Sequence, residues 1–235
     1  MNIAIIGYGN MGREIEKVSI SRGHKISKII DHDTIDKNID ECDVAIIFST
    51  PDSAVDNIKL CFDNNVPVVC GTTGWLGQFE LINEYCNMKN GTFIYSPNFS
   101  IGVNLFFRLN NFLAKEMFKK NEYKVSVLEK HHTKKIDKPS GTAIKIADDI
   151  LKNSSFSEWS LEDDNNKLNI KCERFGDEKG YHEVKYESEN DLIFIAHNAK
   201  SRLGFALGAV MCSEWIYNKK GIYTMNDFLN SFNFQ

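Results

Sequence analysis

The chain has 235 residues, 42% of them apolar and 26% charged, enough for one large domain or two modest ones around an ordinary buried core. A net charge of −4 gives no global attraction to nucleic acid or to an anionic membrane, so basic clusters are read as local chemistry and the partner as a small molecule. Cys42, Cys61, Cys70, Cys86, Cys172 and Cys212 form no C-x-x-C pair, and the opening "MNIAIIGYGN" is too short for a signal core or membrane span; the expectation is a cytoplasmic protein with no metal site and no disulfide framework.

In chain order, "IAII" reads as a strand, Met11, Ile15 and Val18 as one face of a helix, and "HKISKII" and "DVAIIF" as two further strands. "STPDSAVDNIKLCF" follows as a helix, "VPVVC" as a strand, Gln78 to Met88 as a helix and "TFIY" as a strand. About five strands with their crossovers in the first 95 residues predict a doubly wound parallel sheet, hence an α/β fold. A change of rhythm near Ile101 marks a second domain. There Leu105, Phe106, Leu109, Phe112 and Leu113 predict an amphipathic helix, "YKVSVLE" a strand, and Ala143, Ile146, Ala147, Ile150 and Leu151 another helix. Three β-rich runs between Lys167 and His197 are expected to be antiparallel, and Leu203, Leu207, Val210 and Met211 mark a final helix.

Two stretches carry chemistry. "GYGNMG" places Gly7, Gly9 and Gly12 in the G-x-G-x-x-G spacing between a strand and a helix, where the turn and the helix N-terminus suit a pyrophosphate. Asp31 ends the second strand nineteen residues after Gly12, where its carboxylate can accept from a ribose diol. Asp31 followed by His32 favours NADH over NADPH, with His32 and Lys28 as the residues able to meet a phosphate instead. Three polar loops, "FSTP", "GTTG" and "YSPNFS", follow successive strands and are expected at the same carboxyl edge.

The second stretch is "EKHHTKKIDKPSGTA", Glu129 to Ala143. A strand delivers His131 and His132, Lys134, Lys135 and Lys138 follow, and Ser140, Gly141 and Thr142 open a helix whose free N–H groups suit an anion. A histidine titrates near neutrality, so one of the pair can serve as proton donor beside a hydride-giving nicotinamide; the spacing does not say which.

With "GTTG", "SPNFSIGVN" and "AKSRLGFALGA", these stretches resemble the 4-hydroxy-tetrahydrodipicolinate reductases, formerly dihydrodipicolinate reductases, over nearly the whole chain. The resemblance implies a Rossmann-like dinucleotide-binding domain from 1–101 and 205–235, and an α+β substrate and tetramerisation domain with an open mixed sheet from 102–204. It implies a homotetramer that reduces a small cyclic dicarboxylate with NADH or NADPH. His131 matches the acid/base histidine, Lys135 the proton-donating lysine, His132 a substrate contact, and Gly141 and Thr142 the pair whose backbone grips a carboxylate. Cofactor contacts fall on Gly7, Tyr8, Gly9, Asn10, Met11 and Gly12, on Asp31, on Gly71, Thr72 and Thr73, and on Ser96, Pro97, Asn98 and Phe99. His182, after Tyr181 where a glutamate is common in the family, is read as structural. The alternatives are another two-domain NAD(P)H reductase of a small carboxylate, or a dinucleotide-sensing regulator without catalysis.

Overall fold

The computed structural model describes residues 1–119 and 123–232. The chain runs β1 (Asn2–Ile6), α1 (Asn10–Ser21), β2 (Lys25–Ile30), β3 (Val44–Ile47), α2 (Pro51–Asp63), β4 (Val68–Cys70), α3 (Phe79–Met88) and β5 (Thr92–Tyr95). It continues with α4 (Ile101–Met117), β6 (Lys124–His131), α5 (Gly141–Leu151), β7 (Trp159–Ser160), β8 (Leu168–Arg174), β9 (Tyr181–Glu187) and β10 (Leu192–Asn198). It closes with α6 (Leu203–Ile216), β11 (Gly221–Tyr223) and α7 (Met225–Asn230). These form two compact units, Met1–Ile101 with Arg202–Gln235, and Gly102–Ser201.

The first unit holds a six-stranded sheet in the order β11-β5-β4-β3-β1-β2, parallel at every pairing. Its central strands are continuous apolar runs because helices cover both faces, and every residue of β3 and β4 is fully buried. The order reverses between β1 and β3, which opens a crevice at their carboxyl ends, where such sheets bind ligands. The sixth strand, β11, comes from the chain's last segment, whose mixed pattern hides a three-residue strand.

Helix α6 packs against α1 and against β3, β4 and β5. Its buried positions are Ala206, Gly208, Ala209, Val210, Cys212, Ser213 and Ile216; of the stripe that the sequence suggests, Val210 is buried, Leu207 and Met211 are partly buried and Leu203 is half exposed. Small residues let the helix approach closely, and a Cβ on Gly208 would lie 1.8 Å from the Phe99 carbonyl oxygen. Outside this contact, the Arg22 guanidinium forks onto Glu214 of α6 with two bonds of 2.7 Å, and His24 reaches the same carboxylate at 2.7 Å.

The second unit is a five-stranded mixed sheet, β10-β9-β6-β8-β7. Here the expectation of three antiparallel runs needs correction: β9 and β10 pair antiparallel, but β8 lies parallel to β6, which separates it from β9. Period-two alternation along β6 turns Val125, Val127, Glu129 and His131 to the covered face. The apolar members pack with Ile146, Ala147 and Ile150 of α5 and Phe106 and Ala114 of α4. In α4 the inward stripe is Val103, Phe106, Asn110, Ala114 and Met117, whereas Leu109 and Phe112 of the expected stripe are exposed.

Gly208→Ala is expected to lower unfolding free energy by about 1–3 kcal/mol or more, as backbone must shift to admit the methyl group. Gly204→Ala, exposed in the same helix with its nearest atom 3.8 Å from the new Cβ, is expected to be neutral or stabilising by up to about 1 kcal/mol. Urea unfolding of the two variants checks the pair.

Candidate active site

In the first unit a cavity of about 470 Å³ opens where β1 and β3 end. Gly7, Tyr8, Gly9, Asp31, His32 and Lys37 line it, together with Ser49 and Thr50 after β3. Gly7 holds φ +91°, and a Cβ there would lie 2.2 Å from the Phe48 carbonyl oxygen, so only glycine makes this turn. Beside it, a Cβ on Gly9 would meet nothing within 4 Å, which leaves the start of α1 open to a ligand. An open glycine at a helix N-terminus, with a carboxylate at the next strand end, fits a dinucleotide: pyrophosphate at Gly7–Gly12 and ribose at Asp31.

Around this cavity the other expected cofactor residues divide. Asn10, Met11 and Gly12 form the first turn of α1. Gly71, Thr72 and Thr73 follow β4, and Thr72 Oγ1 accepts from the Ser49 amide at 2.9 Å, tying that loop to the cavity wall. Ser96 and Asn98, after β5, bond each other through the Ser96 hydroxyl, while Pro97 is exposed. Phe99 is 1% exposed and packs near Phe48, so its side chain offers a ligand no surface. Lys28 is tied to Asp36 at 2.6 Å and His32 to Asp33 at 2.8 Å, and Lys37 is a cation on the cavity wall that the sequence reading passed over.

In the second unit the basic stretch folds around a carboxylate. Glu129 is fully buried; its Oε1 accepts from Arg174 Nη2 at 2.8 Å and its Oε2 from the Ser140 amide at 3.0 Å. Oε2 also lies 3.6 Å from His131 Nδ1 and 3.8 Å from His182 Nε2. The two imidazoles meet edge to face with centroids 5.1 Å apart, and the Ser140 hydroxyl is 3.2 Å from His182 Nε2. Ser140 also caps α5 by accepting from the Ala143 amide, and helix geometry leaves the N–H groups of Gly141 and Thr142 without intrahelical acceptors.

Arg174 continues past Glu129. Its Nη2 donates to the Asp137 carbonyl at 2.6 Å and its Nε to the Lys135 carbonyl at 3.3 Å, which pins the loop carrying Lys135. The Lys135 ammonium rests on both oxygens of Asp137 at 2.8 Å. His132 is half-buried, and its carbonyl accepts the Lys135 amide. His131 and Lys135 thus hang from one hydrogen-bonded frame, with Gly141 and Thr142 at its other end.

The electrostatics follow from burial. Burial opposes ionisation of Glu129, but the bonds from Ser140 and Arg174 outweigh it and hold the carboxyl at about 2. Burial pushes His131 below the usual histidine range, with Glu129 pulling it back and Lys135 and Arg174 adding to the depression. Burial, then the neighbouring His131, takes His182 down to about 3. Ligand atoms of Glu129, His131 and His182 lie within 4.8 Å of one another, a spacing a metal ion could use. Both Glu129 oxygens already accept hydrogen bonds and Arg174 stands in contact, so the donor set reads as a proton and hydrogen-bond cluster.

Sequence reasoning passed over Glu129 and Arg174 as site residues. The alternation of β6, which puts Glu129 on the same face as Val125 and Val127, was the available signal.

Family models described as "Dihydrodipicolinate reductase, N-terminus" and "Dihydrodipicolinate reductase, C-terminus" match residues 1–99 and 102–229. A protein of Christiangramia forsetii named 4-hydroxy-tetrahydrodipicolinate reductase is 48% identical over 234 residues, 98% of each chain. One of the same name from Archaeoglobus fulgidus is 32% identical, covering 97% of this chain and all of its own. Among solved structures, the dipicolinate-bound dihydrodipicolinate reductase of Paenisporosarcina sp. TG-14 shares the fold, with a TM-score of 0.80 and 22% identity over 95% of this chain and 97% of that one.

A histidine held at about 3 when folded and near 6.5 when unfolded binds protons preferentially in the unfolded chain between those values, so it contributes stability at neutral pH that is lost as pH falls below 6.5. For His182 this amounts to about 2 kcal/mol between pH 7 and pH 5. Urea unfolding at both pH values is expected to show a steeper loss for the native chain than for His182→Gln, and equal losses would remove His182 as the cause.

Proposed function

The chain belongs to the dihydrodipicolinate reductase family and carries its activity, the NAD(P)H-dependent reduction of 4-hydroxy-tetrahydrodipicolinate to tetrahydrodipicolinate; we propose that His131 and Lys135 are the groups that manage its protons. The observation that supports this assignment is the Glu129–Arg174 frame, from which the strand end bearing His131, the loop bearing Lys135 and the start of α5 are all suspended.

The reaction consumes one proton and releases one water: the water takes the hydroxyl and one hydrogen from the ring, and the hydride and the consumed proton replace them. His131, at the end of β6, is the acid that gives a proton to the reacting ring, and burial keeps its affinity for that proton low enough to release it. Lys135 leaves Asp137 to neutralise a substrate carboxylate and to supply the second proton-handling group. The N–H groups of Gly141 and Thr142 receive the other carboxylate at the positive end of α5, and His132 contacts the ring. When bound, the reduced nicotinamide supplies the hydride. Gly7–Gly12, Asp31, Gly71–Thr73 and Ser96–Phe99 are the segments of this chain that would hold the cofactor.

NADH is the favoured cofactor in this reading. Asp31 opposes a 2′-phosphate, and Lys28 and His32, the basic side chains nearest in sequence, are engaged by Asp36 and Asp33. Lys37 is the group that would admit NADPH. Assembly is proposed as a homotetramer through the uncovered face of the mixed sheet, where Leu192 and Phe194 of β10 are half exposed or more. A cytoplasmic location belongs to the same reading and suits the six free cysteines. Among the described residues no helix is long and apolar enough to cross a membrane.

Oxidation of NADH and NADPH, followed in parallel with freshly generated substrate, is expected to show turnover with both and higher kcat/KM with NADH. No turnover with either would sink the reading. His131→Ala is expected to lower kcat by about two orders of magnitude or more with little change in the KM for cofactor.

A further inference from the structure

We propose that Glu129 is a positioning residue that acts through His131: it fixes the proton of the neutral imidazole on Nδ1 and closes on that N–H when the ring becomes charged, so that Nε2 is the atom that trades protons with the substrate. This rests on the assignment of His131 as the acid of the reaction.

The geometry carries the argument. His131 Nδ1 is buried and makes no hydrogen bond, yet Glu129 Oε2 stands 3.6 Å away. A bare nitrogen lone pair facing a buried carboxylate oxygen would set two acceptors against each other, whereas an N–H there points at its natural partner. The separation is too long for a hydrogen bond and short enough to become one by a small side-chain movement. On the ring's far side, a Cβ at Gly180 would lie 3.4 Å from Nε2, so a glycine keeps that edge of the imidazole uncrowded.

The surroundings give Glu129 the means to do this. Arg174 takes its other oxygen and the Ser140 amide shares Oε2, which keeps the carboxylate ionised and immobile. The groups facing His131 are Glu129 on its own strand, His182 on β9, Arg174 at the end of β8, and Lys135 and Asp137 on the loop. Of the two acidic groups, Glu129 acts more strongly on the ring and Asp137 is engaged by Lys135. A dicarboxylate substrate adds negative charge, which favours the imidazolium. The cation then holds one proton on Nδ1, shared with Glu129, and one on Nε2; the Nε2 proton passes to the substrate and the neutral Nδ1–H form is restored. Glu129 stays ionised throughout, as an orienting carboxylate beside a catalytic histidine does.

Two measurements test this. Long-range 1H–15N spectra of 15N-histidine-labelled native protein at pH 8 report the tautomer directly, with His131→Gln used to assign the signal. An Nδ1–H tautomer is expected, and an Nε2–H tautomer overturns the proposal whether or not the enzyme turns over the substrate assayed above. Glu129→Gln, nearly the same in shape, is expected to reduce kcat roughly 10- to 100-fold and to move the alkaline limb of the kcat profile to lower pH by about one unit, since the carboxylate no longer supports the imidazolium. A profile that superimposes on that of the native enzyme would mean that Glu129 serves structure alone. Should Glu129→Gln fail to fold, the tautomer in the native protein decides.

Discussion

A carboxylate cannot be taken wholly out of water without compensation; the effective cost is several kcal/mol for an unpaired ion. Glu129 meets that constraint with a guanidinium and a backbone amide, and the second unit is arranged around the result. Arg174 is itself nearly buried, so its remaining donors must also find acceptors, and they find the carbonyls of Glu173, Lys135 and Asp137. The loop after β6 is therefore shaped by a cation's need for oxygen atoms. The amide that completes the other side of Glu129 belongs to Ser140, the cap of α5, so the same ion pair fixes where that helix begins. Strand end, loop and helix start take their places from one buried charge.

The parts of this arrangement differ in how plainly the sequence announces them. Strands β1, β3 and β4 are short apolar runs between turn residues, and Gly7 sits where only glycine can turn, so the parallel sheet and its crevice are local signals. The His131, Lys135 and Gly141–Thr142 segment is equally visible because it is contiguous. What escapes is non-local. Arg174 stands 45 residues from Glu129 and looks like one more surface charge until β8 pairs parallel with β6. His182 joins the cluster only through the antiparallel register that sets it opposite Glu129. Helix α6 misleads for another reason: its buried face mixes Val210, Cys212 and Ile216 with Ala206, Gly208 and Ala209, and the small residues carry little apolar weight in a periodicity count but permit the closest approach.

The two units also differ in how much they say about chemistry. A parallel nucleotide-binding sheet serves many dehydrogenases, and its glycine turn and strand-end aspartate specify a cofactor class without specifying a substrate. In the proposed reading the other unit carries the discrimination. Its helix start offers N–H groups to an anion, its loop offers an ammonium, and its histidine is buried far enough to part readily with a proton. A substrate with two carboxylates and a ring to be protonated fits that inventory, which a sensor without turnover would have no reason to maintain at the cost of burying a charge.

The first unit is interrupted. Its sheet gains β11 beside β5, and its α6 covers β3, β4 and β5, only from residues beyond Arg202, after a hundred intervening residues that form a unit of their own. During synthesis the first 101 residues therefore leave the ribosome with an unpaired β5 edge and an uncovered sheet face, while the inserted unit is contiguous and can close as soon as it emerges. The order of birth and the order of completion are thus reversed: the earlier-made segment is finished later, and a ribosome that stalls after Ser201 releases a chain whose inserted unit is whole and whose first unit is exposed along one strand.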